Sequence, residues 1–391
     1  MSNSLRSAAF GLALIASAGI SCASASSFQT IYSFTGGTDG SFPYGQLVAD
    51  QSGILYGVTV LGGAFSHGTV FSLDLVSGTL TTLYSFKNGK DGGSPQAGLA
   101  LDANGNLYGV AGVGGSTVNC NQGCGTIFKL NIATQKFTVL HTFNGATDGA
   151  QPFAALLLSA KTLYGSTAYM GTGGDCGQSG CGTLFKYDLP SKTFTTMREL
   201  VLADGADPLG KMVRSSSGLL YGTTSAAGAN GVGNVFSIDP VSNAYAVVHS
   251  FDYHVDGAHA SSDLTIKNDV IYGTTRAGGP TADNDGTIFK LELSTNTLTT
   301  LYSFTGNGNG ATPTFGVVFG ASNRLYGGTD QGAPSGGGVL FRFIPNTLAY
   351  KTIHDFTPSD GTAPSGRLLY ENSALFGVTS GGNGTVFKMI P

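Results

Sequence analysis

The chain contains no tryptophan. Any sugar-stacking surface must therefore be built from its 16 tyrosines and 24 phenylalanines. Charge is scarce as well: Asp, Glu, Lys and Arg make up 11% of the residues, against about 25% in typical soluble proteins. No Lys/Arg cluster occurs and the net charge is −4, which argues against nucleic acid as a partner. The only glutamates are Glu199, Glu292 and Glu371. A glycosidase-type pair of facing carboxylates would have to use aspartates. No Gly-x-Ser-x-Gly elbow, phosphate loop or dinucleotide fingerprint stands out. Beyond residue 25 no segment shows a 3.6-residue apolar period, so the chain reads as all-β.

The first 25 residues are set apart. Arg6 supplies a short basic start, Ala8 to Ile20 is apolar, and Ala23-Ser24-Ala25 fits a small-residue cleavage site. The run is too short to span a bilayer, so residues 1–25 are expected to be a signal peptide. The mature chain would begin near Ser26 and be secreted or held at the cell surface. Loss of Arg6 takes the charge from −4 to −5. Cys22 admits a lipid-anchor alternative, but Gly19-Ile20-Ser21 matches the attachment box poorly. No further apolar stretch follows, so neither a transmembrane segment nor a C-terminal anchor is expected.

What is abundant is repetition. Leu-Tyr-Gly recurs about every 52 residues, with its tyrosine at Tyr56, Tyr108, Tyr164, Tyr221, Tyr272 and Tyr326, and with Phe376 in a last copy. Each is followed by Gly-Thr-x-Phe or a variant, ending at Phe71, Phe128, Phe185, Phe236, Phe289, Phe341 and Phe387. A Tyr/His-Ser/Thr-Phe closes the unit at Phe34, Phe86, Phe143, Phe251, Phe304 and Phe356, with Leu200 in the degenerate copy. Short β-branched and aromatic runs between Gly, Asn, Asp and Ser clusters predict four strands per unit. That spacing fits a β-propeller blade of kelch-like length. A solenoid competes, and the strand count separates the two. The repeat ends on a third strand, Thr385–Ile390, while Phe28–Phe34 reads as an orphan fourth strand. Seven complete blades exist only if the two combine, as a ring requires. The expected architecture is one seven-bladed propeller over residues 26–391. Its blades lie near 44–86, 96–143, 153–200, 209–251, 260–304, 314–356, and 366–391 plus 28–34.

In a propeller the linker from a fourth to the next first strand shares a face with the loop between second and third strands. Here the linkers carry Asp-Gly-x-x-Pro, beginning at Asp39, Asp91, Asp148, Asp204 and Asp360. Asn309 replaces Asp in one copy, and Ala260 replaces Pro after Asp256. This loop face is the expected binding face. The six aspartates invite a calcium- or sugar-binding reading, while Asp-Gly is also ordinary turn chemistry. His254, Asp256 and His259 form a His-x-Asp-x-x-His that a transition metal would suit; a solvated loop is the competing reading. His141, His249 and His354 stand where other copies have tyrosine, and read as structural. Cys120 with Cys124, and Cys176 with Cys181, lie in matching loops. One disulfide per loop is expected in an oxidising compartment, and a shared four-thiolate zinc site is the alternative.

The combination Leu83-Tyr-Ser-Phe86, Asp91-Gly-Gly-Ser-Pro95, Leu107-Tyr-Gly109, Gly114-Gly115 and Gly125-Thr-Ile-Phe128 resembles the GloVer tandem-repeat family of bacterial exported proteins. The likeness runs from about residue 28 to 391. It implies an exported or surface-associated protein and no particular reaction. The expectation is a monomeric, non-enzymatic module that binds a glycan or another extracellular polymer. An enzyme using loop-face aspartates on extracellular polysaccharide and a scaffold for a surface protein are the alternatives. No cofactor is expected beyond calcium at the aspartates.

Overall fold

The computed structural model describes residues 27–171 and 175–391. The expected signal peptide and Cys22 lie outside the described residues. Seven four-stranded antiparallel sheets form a seven-bladed β-propeller. Blade 1 runs from axis to rim through Ser41–Ala49, Ile54–Leu61, Thr69–Asp74 and Leu80–Ser85. Its first turn is closed by Asp50, which accepts the N–H groups of Ser52 and Ile54 and the Tyr56 hydroxyl. Asp102 repeats this in blade 2, taking the Tyr108 hydroxyl at 3.0 Å. A short acidic side chain that caps its own turn fixes the register of the hairpin.

The ring closes as expected. Ser27–Ser33 pairs antiparallel with Thr385–Ile390, from Ser27 opposite Ile390 to Ser33 opposite Thr385. It completes blade 7 and covers an edge that would otherwise be open. Phe28 stacks on His354 at 3.7 Å and on Phe387 at 5.4 Å.

The repeated motifs are the two halves of each blade interface. The phenylalanine ending one fourth strand packs against the Gly-Thr-x-Phe ring of the next blade. Phe34–Phe71, Phe86–Phe128, Phe143–Phe185 and Phe356–Phe387 meet at 5.3 Å. Phe251–Phe289 and Phe304–Phe341 meet at 5.4 Å. Leu200 occupies the seventh place, in one cluster with Phe236. Burying each ring contributes about 2–3 kcal/mol, and each aromatic pair about 0.5–1.5 kcal/mol more. The glycine of Leu-Tyr-Gly belongs to the same device. Gly273 lies opposite Phe289, and a Cβ there would fall 2.5 Å from the Phe289 Cζ.

The first strands depart from expectation. In blade 1 the strand begins at Ser41 rather than near Tyr44, whereas the others shrink to two or three residues, such as Ala100–Leu101 and Leu369–Glu371. Near the axis the backbone bonds sideways instead: Gly45 donates to the Ser365 carbonyl at 2.9 Å, and Leu264 to that of Lys211 at 3.3 Å. Small residues permit this approach, since a Cβ on Gly366 would collide with the Gly45 carbonyl.

The cysteines pair within their own loops, Cys120 with Cys124 and Cys176 with Cys181. The shared zinc site is thereby overturned, because each sulfur is already bonded to its loop partner. Among the described residues, no helix is long and apolar enough to cross a membrane.

Candidate functional site

Each linker staples two blades on the loop face. The residue before the proline position is left-handed in every copy, with φ between 49° and 57° at Phe42, Ser94, Gln151, Asp207, His259, Thr312 and Ala363. This conformation costs a non-glycine residue about 1–2 kcal/mol. It turns the N–H back to the blade just left: Phe42 to the Asn383 carbonyl at 3.0 Å, Ser94 to His67 at 2.9 Å, Ala363 to Gly337 at 3.0 Å. The neighbouring residue pairs forward with the next blade, as Gly93 does with Val113 and Ala258 with Ala277.

The six predicted aspartates turn inward onto these linkers. Asp39 accepts the Tyr32 hydroxyl at 3.1 Å and the Thr35 N–H at 2.8 Å. Asp91 accepts the Tyr84 hydroxyl at 3.0 Å and the Lys87 N–H at 2.9 Å. Asp148 and Asp256 meet His141 Nε2 at 3.1 Å and His249 Nε2 at 2.6 Å, each also taking a linker N–H. Asp204 holds the Arg198 guanidinium, with Nη2 at 2.6 Å. Asp360 meets His354 Nε2 at 2.7 Å and the Thr357 N–H at 2.8 Å. The tyrosine-to-histidine exchanges of the fourth strand thus supply partners for the linker aspartate.

For Asp360, burial works against ionisation, but the Thr357 hydroxyl and N–H and then His354 hold its carboxyl below the ordinary range. A folded pKa below the unfolded value means that the stabilisation is present above the unfolded pKa, about 3.9, and is lost as pH falls through the folded one. Asp360→Ala is expected to lower stability by about 1–2 kcal/mol at pH 7. Denaturant titrations of both proteins should show this gap persisting at pH 5 and shrinking below about pH 4. A gap that stays constant down to pH 2.5 would contradict the assignment.

His254, Asp256 and His259 are not brought together. Asp256 faces His249, the His259 Nδ1 meets the Ser225 carbonyl at 2.8 Å, and His254 is exposed. The left-handed turn at His259 points that ring at the preceding blade's loop. Among the described residues, no group of three His, Cys, Asp or Glu side chains is placed to hold a metal.

What the fold does gather is a funnel where the loop face meets the axis, enclosing about 270 Å³. Ligand pockets usually measure about 300–1,000 Å³. Tyr44, Phe153, Tyr169 and Phe315 give it aromatic walls, and Gln46, Gln96, Asp263, Arg276 and Arg367 give it polar groups. Tyr44 and Phe315 meet edge-on at 5.8 Å. Burial, then Asp330 and Asp263, push the Tyr44 hydroxyl up to about 12, against the pull of Arg276. Burial also raises the Asp330 carboxyl, while a Thr314 hydroxyl at 2.7 Å and Arg276 restrain it. A tyrosine so held is a neutral hydrogen-bond donor at any physiological pH.

The Gloeobacter/Verrucomicrobia repeat matches residues 20–177, 116–283 and 256–391. The chain belongs to that family. No curated protein matches it in sequence. This member of the Gloeobacter/Verrucomicrobia repeat family is similar in structure to virginiamycin B lyase from Staphylococcus aureus. The TM-score is 0.62 at 12% identity, covering 93% of this chain and 99% of that one. The extracellular domain of BT4673 from B. thetaiotaomicron gives 0.59 at 12% identity, over 92% of this chain and 39% of that one. A chain of the mitotic checkpoint complex gives 0.59 at 13% identity, over 98% of each. At such identities the likeness shows the propeller fold alone.

The funnel residues were missed in the repeat motifs because they are the places where copies disagree. Three residues after the linker proline, or after Ala260 in its place, stand Gln46, Gly98, Ala155, Lys211, Asp263, Gly316 and Arg367. Four residues after the Tyr or Phe of Leu-Tyr-Gly stand Val60, Gly112, Ala168, Ser225, Arg276, Asp330 and Ser380. The two columns single out Asp263, Arg276 and Arg367 in the funnel, with Lys211 and Asp330 beside them.

Proposed function

We propose that this Gloeobacter/Verrucomicrobia repeat protein is an exported binding module that takes a glycan or similar extracellular polymer at the axial funnel of its loop face. One observation carries the reading. Residues that the fold needs recur in most copies, whereas the charged residues of the funnel occur in single copies and collect at one place. Aromatic walls beside amide, carboxylate and guanidinium groups suit a polar ring with hydroxyls. Two disulfides favour an oxidising compartment, in keeping with export. The rim aspartates serve the linkers in this reading and leave the funnel as the contact surface.

Calorimetric titration of the chain from Ser26 against a panel of oligosaccharides tests it. Phe153→Ala and Arg276→Ala should each weaken binding about tenfold, the size of one lost contact of about 1.4 kcal/mol. Lys136→Ala, exposed on the opposite face, should change nothing, and EDTA should have no effect. Binding that ignores both funnel variants moves the site elsewhere; silence across the panel sinks the glycan reading.

A further inference from the structure

Near the axis Lys211, Asp263 and Arg367 come from three different blades, Asp263 and Arg367 in the funnel lining and Lys211 in a second cavity that shares Gln46 with it. The same position is glycine or alanine in blades 2, 3 and 6, at Gly98, Ala155 and Gly316. Building the ring therefore requires no charge here. Two cations face one carboxylate in a protein whose net charge is negative.

The cations are incompletely used. Asp263 Oδ1 accepts the backbone N–H of Lys211 at 2.8 Å. The Lys211 ammonium itself has no hydrogen-bond or ion-pair partner among the described residues. Arg367 donates from Nε to the Val317 carbonyl at 3.2 Å and from Nη2 to Thr265 Oγ1 at 2.5 Å. These bonds hold its guanidinium across two neighbouring blades. A guanidinium has five N–H donors, so three remain without a protein acceptor among the described residues. Burial lowers the Lys211 pKa, Arg367 adds to the fall, and Asp263 opposes it. Lys211 is half-buried and lines a cavity, so its ammonium is reachable from solvent. Its presence in one copy is understandable where an arriving anion completes it.

We infer that this cluster is an oxyanion site that receives the acid group of the bound ligand, with Lys211 and Arg367 as its donors. The ligand class is thereby narrowed to acidic glycans, whose sugar rings contact the funnel wall while a carboxylate reaches down the axis. This inference rests on the binding reading above. A planar guanidinium beside an ammonium matches a carboxylate, since Arg can offer two parallel N–H groups and Lys a point charge.

The test is titration calorimetry of the chain from Ser26 with four probes: a galacturonic acid trimer, its methyl ester, a galactose trimer and sodium sulfate. The acid trimer is expected to bind at least tenfold more tightly than its methyl ester. Lys211→Met and Arg367→Gln should each erase that preference. Equal affinity for acid and ester overturns it, yet leaves the glycan reading standing. Lys211-dependent sulfate binding without any sugar binding keeps the anion site and sinks the glycan reading. No binding of any probe at millimolar concentration overturns both.

Discussion

A chain lacking residues 27–33 is expected to lose cooperative folding of the whole ring, with far more at stake than one strand. Ser27–Ser33 is the rim strand of blade 7, paired with Thr385–Ile390 along its length. Phe28 lies between His354 and Phe387, so its removal opens the interface between blades 6 and 7. Phe34, which follows the strand, packs on Phe71 of blade 1 at 5.3 Å, and it loses its anchor on blade 7. Two aromatic burials at about 2–3 kcal/mol each, with the ladder bonds at about 1 kcal/mol each, match the whole margin of a domain, about 5–15 kcal/mol. Thermal denaturation should show a broad transition or none for the truncated chain. A synthetic peptide of residues 26–36 should restore it in part. A sharp midpoint equal to that of the intact chain would show that closure contributes little.

The architecture was legible because it is repeated. Burial at blade interfaces forces Phe, Tyr and Gly into fixed places, and seven copies write those places seven times. The closing strand could be read from Phe28–Phe34 because its Tyr-Ser-Phe ending is the same as that of Leu83–Phe86. The linker aspartates were legible as positions but not as roles. Asp148 and Asp256 find their partners in His141 and His249 of the preceding strand, a pairing across seven residues that depends on the turn between them. A bulge in each outer strand, such as that at Leu140 opposite Ile127/Phe128, sets which side chain reaches the linker. The funnel was hidden for the opposite reason. Attention to what copies share passes over Arg276 and Asp330, whose significance is that their counterparts are Val60, Gly112 and Ala168.

Gly149→Ala is expected to cost about 2–5 kcal/mol, a large effect for a single methyl group. Gly149 has φ of 79°, where alanine loses about 1–2 kcal/mol. Its new Cβ would collide with Thr167 Oγ1, and overpacking adds about 1–3 kcal/mol. Thr167 cannot move aside freely. Its hydroxyl lies 2.9 Å from that of Thr183 and accepts the Thr183 N–H at 3.0 Å, while the Thr183 hydroxyl donates to the Asp148 carbonyl at 3.1 Å. These three elements are the Asp-Gly linker, the Tyr-Gly-x-Thr strand and the Gly-Thr-x-Phe strand, joined at one buried point. Thr167→Ala alone should cost about 1–3 kcal/mol through donors left unpaired. The double variant should be more stable than the sum of the two losses predicts, by 1 kcal/mol or more, because the collision disappears with the hydroxyl. Strict additivity in urea titrations would show that no collision exists. The linker continues through Pro152 to Phe153 in the funnel wall. Gly149→Ala should therefore weaken ligand binding together with stability, whereas Phe153→Ala should weaken binding and leave the thermal midpoint nearly unmoved. That contrast separates the repeated junction that holds the wall in place from the unrepeated side chains that line it.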